Sequence, residues 1–124
     1  MTQSLTPSLL KHVNMPDLLD RVDNDCELLQ ELFQLFMVEF PRIKSELQDA
    51  VSRKNLGETA DSAHMLKGML ANLSFEEAAK TMEELEHKAA IADQPGMDRA
   101  MAVFNSQTAS LLPSLDTWLA EQSA

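Results

Sequence analysis

The sequence predicts an all-α protein, an antiparallel four-helix bundle with a short additional helix near its N-terminus. Three observations carry that prediction. The helix formers Leu, Ala, Met and Glu are abundant, against only three Gly and no Tyr in 124 residues. Apolar residues recur at steps of three and four along four long stretches, the spacing of one buried helical face. The stretches are joined by short connections, which makes successive helices antiparallel neighbours.

Taken in order, residues 1–13 read as an N-terminal tail and residues 14–121 as one helical-bundle domain, without repeat, low-complexity stretch or long linker. Pro16 to Val22 is expected as a short helix laid over one end. In DCELLQELFQLFMVEFPRIKSELQDAV the apolar stripe is Cys26, Leu29, Phe33, Phe36, Phe40, Ile43, Leu47 and Ala50. Pro41 removes a backbone donor and crowds the preceding turn. The stripe nevertheless stays in phase across it, which predicts one kinked helix rather than two. Asn24, three residues before Glu27, is the expected N-cap, and Cys26 reads as core.

The next helix is expected from about Leu56 to Asn72, with Leu56, Ala60, Ala63, Leu66, Leu70 and Leu73 on its stripe. In SFEE, Ser74 and Glu77 match a capping box that opens a third helix. Its stripe is Phe75, Ala78, Met82, Leu85, Ala89 and Ala92. Asp93-Gln94-Pro95-Gly96 forms a turn, with proline placed for a helix start. The last stripe is Met97, Met101, Phe104, Thr108, Leu111 and Leu115, closing near Trp118 and Leu119, with a bend at Pro113.

Composition narrows the function. A formal net charge of −10 repels nucleic acid phosphates and anionic membranes, and argues against both as partners. No segment approaches the ~20 apolar residues that span a bilayer. MTQSLTPSLLKHV lacks the basic region and long apolar run of a secretory signal. Cys26 is the single cysteine and has no internal disulfide partner. The expectation is a cytoplasmic monomer, or a cytoplasmic piece of a larger protein.

The informative stretch is AHMLKGMLANL, residues 63–73. Glycine in a helix interior is worse than alanine by roughly 1 kcal/mol, yet Gly68 stands in the middle. Its neighbour one turn back is His64, which lies roughly 110° from the centre of the apolar stripe and so faces sideways, accessible to solvent. Lys67 follows at three residues, within reach of the imidazole. Gly68 and Ala71 continue the histidine's row and leave bare surface. An exposed imidazole is largely unprotonated at neutral pH and nucleophilic without a dedicated base. A phosphoryl group accepted there would be steadied by Lys67, and the missing bulk at Gly68 would let another protein's active site approach. The chain has no Gly-rich phosphate loop, so the donor must be a partner.

AHMLKG resembles the H-x-L-K-G signature of histidine-containing phosphotransfer (HPt) domains, on His64, Leu66, Lys67 and Gly68. ELLQELFQLFMVEFPRIKSELQDAV and LEHKA are similar to the family's flanking helices, so that the resemblance covers residues 14–121. It implies a helical bundle whose exposed histidine is phosphorylated at Nε2. It further implies exchange of that group with aspartates of receiver domains, those of a hybrid sensor histidine kinase and of response regulators, in a multistep phosphorelay. Such a domain has no kinase activity and no cofactor of its own; the receiver supplies Mg²⁺. His64 would be the nucleophile and Lys67 the phosphoryl-stabilising residue. Asp61, Met65, Gly68, Met69 and Ala71 would form the receiver-docking face. The sequence departs from the family where Met69 and Leu70 follow the glycine in place of small residues, and where Ser74 replaces a glycine at the helix end.

Competing readings use the same residues. Asp61/His64 and Glu84/His87 each place an acid three residues before a histidine, as in di-metal carboxylate bundles. That requires all four to project inward, whereas Asp61 points almost opposite the stripe and Glu84 and His87 flank theirs. A histidine-kinase dimerisation domain usually has an acid directly after its histidine, where this chain has Met65. The phosphoacceptor domain of a chemotaxis-type kinase is a further alternative. His12 lies in the tail without chemical context.

Overall fold

The computed structural model describes residues 7–122. They form six helices, with no strand among the described residues: α1 (Pro7–Leu10), α2 (Met15–Arg21), α3 (Cys26–Ser52), α4 (Leu56–Asn72), α5 (Glu76–Ala90) and α6 (Gln94–Gln122). α3 packs on α4, α4 on α5, α5 on α6 and α6 back on α3, which closes a ring of four long helices.

The stripes read from the sequence are the core. Leu29, Phe33, Phe36, Phe40, Ile43, Leu47 and Ala50 of α3 meet Ala63, Leu66 and Leu70 of α4, Met82 and Leu85 of α5, and Phe104, Leu111 and Leu115 of α6, all buried. Aromatic rings concentrate at one end. Phe33 stands edge-on to Trp118 at 5.3 Å and stacks on Phe75 at 5.9 Å. Phe40 meets Phe104 at 5.9 Å halfway along. Offset and edge contacts of this kind add to the burial of the rings themselves. α3 runs unbroken through Pro41, and α6 through Pro113. Cys26 is only partly buried, at the edge of the core. Leu56 and Ala92, expected on stripes, are exposed because each sits at a helix end, beyond its neighbours' reach.

Helix ends differ from the sequence reading in an instructive way. The N-cap of α3 is Asp25, whose side chain accepts from Leu28 N at 3.0 Å, and not Asn24. Asn24 is held at φ 59° in the turn behind it. Ser74 is not a capping-box residue either: α5 starts after Phe75 with no side-chain cap. Ser74 instead closes α4 at φ 62°, with Phe75 N reaching back to Leu70 O at 2.9 Å. That is a Schellman closure, which favours glycine because a left-handed residue with a Cβ is strained. Lys54 after α3 (φ 60°) and Ala92 after α5 (φ 54°) occupy the same position, with Asn55 N–Ala50 O and Asp93 N–Lys88 O both 2.9 Å. Asn55 and Asp93 then cap α4 and α6.

The tail also needs correcting; residues 1–6 lie outside the described residues, and the rest of it is structured. α1 packs against α6, with Leu9 and Val13 buried. His12, expected without context, has its Nε2 3.0 Å from Ser110 Oγ on α6. The backbone of Asn14 donates to Ser74 O at 3.1 Å, and Ser74 Oγ donates to Asp17 at 2.6 Å. These contacts tie α2 over the α4–α5 turn.

Candidate functional site

Leu66 and Leu70 are fully buried and orient α4, so the residues between them are aimed by the core rather than by any local device. His64 is turned outward toward the α5 side, its side chain 68% exposed. Its Nδ1 lies 3.1 Å from Glu86 Oε2. The other oxygen of the same carboxylate, Oε1, is 3.3 Å from Lys67 Nζ, and Glu83 Oε2 is 4.0 Å from that ammonium. Glu86 thus divides its oxygens between the imidazole and the lysine.

That division determines the ring's chemistry. A carboxylate oxygen only accepts hydrogen bonds, so Nδ1 carries the proton and donates. In the neutral ring the lone pair is then on Nε2, which has no partner among the described residues. A histidine donating one nitrogen to a carboxylate has its tautomer and ring plane set by that bond.

Glu86 and Glu83 are absent from the sequence reading, which weighed Glu84 and His87 on this helix. The available signal was positional. Glu86 directly follows the core residue Leu85, just as Lys67 follows Leu66, so both lean from their stripes toward a neighbouring helix. Sequence periodicity gives the lean but not which helix receives it.

The other expected residues separate into two groups. Asp61 and Met65 line an open hollow of about 440 Å³ with Ala60, His64 and Glu86. Met65 is 54% exposed there. Gly68 and Ala71 are exposed, and a Cβ built on Gly68 meets nothing within 4 Å. Met69 is not paired with Met65 beside the histidine. It is half-buried on the opposite flank of α4 and lines a groove with Leu32, Leu35, Phe36 and Leu73. The Lys67 side chain is only 30% exposed because it lies along α5.

The di-metal reading fails on placement. Asp61, Glu84 and His87 are exposed rather than projecting inward between helices, and among the described residues no three His, Cys, Asp or Glu side chains are grouped so that they could hold a metal ion. No described helix is long and apolar enough to cross a membrane.

Comparison with known proteins agrees with the geometry. No curated protein and no solved structure matches the chain. The Hpt domain family model matches residues 31–122, from the second turn of α3 to the end of α6, leaving α1 and α2 outside it. An all-helical chain matched by that model over most of its length belongs to the Hpt domain family.

Proposed function

We propose that the protein is a phosphocarrier in which His64 Nε2 takes a phosphoryl group from the aspartate of one receiver domain and gives it to another. The four long helices serve as an antiparallel bundle that holds this histidine at a fixed place on its surface. One observation supports the reading above all: Glu86 is shared by His64 Nδ1 and Lys67 Nζ.

The step follows from that geometry. The Nε2 lone pair attacks the phosphorus of a partner's aspartyl phosphate, the N–P bond forms, and the P–O bond to the aspartate breaks to release its carboxylate. The imidazole ring gains positive charge as its lone pair is used, and the proton stays on Nδ1. Glu86 then accepts from a more acidic N–H, so its hydrogen bond is stronger at the transition state than before it. Lys67, one helical turn from His64, steadies the phosphoryl oxygens. The reverse step delivers the group to a second aspartate, with the receiver supplying Mg²⁺. Nothing in these roles requires the chain to be a kinase.

Incubation with a phosphorylated receiver should label the protein with an acid-labile, base-stable phosphate. His64→Gln should remove the label; its persistence would refute the site. Glu86→Ala, which loses both contacts, should slow transfer by about tenfold to a hundredfold, the equivalent of a charged hydrogen bond of about 1.5–3 kcal/mol. Glu86→Gln keeps an acceptor for Nδ1 and should fall between. Equal rates for all three proteins in a stopped single-turnover assay would remove Glu86 from the mechanism.

A further inference from the structure

Accepting a phosphoryl group changes the charge at His64, and the carboxylates already there act on that change. An aspartyl phosphate carries about two negative charges at neutral pH, and a neutral imidazole none. After transfer the released carboxylate of the partner carries one negative charge. The phosphoryl group on Nε2 carries two, and the ring, still protonated at Nδ1, carries one positive charge. His64 thus becomes more negative by one.

Three carboxylates stand beside it against one ammonium. Asp61 lines the hollow around His64, Glu86 holds Nδ1, and Glu83 lies 4.0 Å from Lys67 Nζ. Lys67 is the one Lys or Arg of α4, and Glu86 at 3.3 Å offsets its charge as well. The cations of α5 add little. Lys88 faces Asp93 at 3.8 Å, and Lys80 stands two turns before Glu86, about 9 Å along the helix. Glu86 gains from the positive ring that it touches. Asp61 and Glu83 make no hydrogen bond to that ring and meet the added negative charge alone.

We propose that Asp61 and Glu83 raise the free energy of the phosphorylated protein, which makes His64 a donor that passes its phosphoryl group on rather than a store that keeps it. The proposal rests on the phosphocarrier reading of His64 and gives the transfer a direction. At equilibrium with any receiver, the two carboxylates move the group toward the receiver's aspartate. One unit charge acting on another at roughly 8 Å near a protein surface shifts an equilibrium about twofold to fivefold before salt screens it.

The test reads an equilibrium rather than a rate. A receiver phosphorylated with radiolabelled acetyl phosphate, then freed of the excess, is mixed with the protein, and the label on each is counted at the plateau. The equilibrium constant depends on the separated molecules alone, so contacts made only in their complex cancel from it. Asp61→Asn/Glu83→Gln should shift that constant toward phosphohistidine about fivefold in roughly 20 mM KCl, and each single substitution about twofold. In roughly 500 mM KCl the shift for the double variant should shrink below about twofold. Asp116→Asn removes a charge from α6, across the bundle from α4, and should stay within about 1.5-fold of the unmodified protein. The Asp61, Glu83 and Asp116 side chains are exposed, so circular dichroism should show each variant folded. A constant for the double variant at or below that of the unmodified protein overturns the proposal and leaves the carrier reading standing. So does a rise that Asp116→Asn matches, or one that salt leaves unchanged. Absence of label from every receiver overturns the carrier reading, and the proposal with it.

Discussion

A Cβ added at Gly68 has open space around it, so a side chain there would fit without any neighbour moving. Nothing inside the bundle accounts for the glycine. Gly68→Ala should stabilise the protein by up to about 1 kcal/mol, since helix propensity is the only quantity that changes. Gly68→Gln should be similarly stable, yet transfer the phosphoryl group more slowly by obstructing a partner at His64. Thermal unfolding and transfer rates, measured on the same two variants, separate these effects; normal transfer by Gly68→Gln would end the argument for access. His64, Lys67 and Gly68 were legible from spacing because all three lie on one helix. Glu86 was not, because its contact with them crosses from α5 to α4.

Helices α3, α4 and α5 each end on a non-glycine residue in the left-handed region. For L-residues that conformation is unfavourable by roughly 1–2 kcal/mol. Ala92 is exposed and its side chain makes no hydrogen bond, so it isolates the backbone effect. Ala92→Gly should stabilise by about 0.5–1 kcal/mol after the greater freedom of glycine in the unfolded chain is deducted. A melting temperature unchanged or lowered would show that this closure is not strained. Ser74 is the less simple case, because it is buried and its hydroxyl donates to Asp17. The capping-box pattern at Ser74 and Glu77 misled for a related reason: a pattern of residue types fits either side of a tight turn. At the other end of the chain, α1 is held by Leu9, which is fully buried. Leu9→Ala should destabilise by about 2–3 kcal/mol. A change below half of that, in chemical denaturation, would mean that α1 is an accessory to the bundle rather than part of its core.

Across the whole molecule, two titratable groups tie the N-terminal segment to the bundle. Ser74 first, then Arg21, hydrogen-bonds to Asp17 and holds its carboxyl below its usual value. The unfolded chain therefore takes up this proton at higher pH than the folded one. The stabilisation is complete above the usual carboxylate value and is lost as pH falls through the lower, folded value. His12 is likewise lowered, chiefly by burial, with Glu77 opposing and Lys11 reinforcing the shift. Its contribution is present above the usual imidazole value and declines as pH falls toward the folded one. Ser74→Ala removes the largest cause at Asp17, so acid unfolding followed by circular dichroism should begin at higher pH. Superimposable acid transitions for the two proteins would show that the contact does not couple to folding.

The sequence alone determined the helical class, the four long stripes, and the row of His64, Lys67 and Gly68. Each depends on the period of a single helix, and that period is written in the order of residues along it. Tertiary structure decided that Glu86 holds the imidazole, that Met69 turns to α3 rather than standing beside the histidine, and that residues 7–13 join the bundle. Those outcomes depend on which flank of one helix meets which flank of another. Hydrophobic periodicity says which face is inward but is silent about the neighbour on either side.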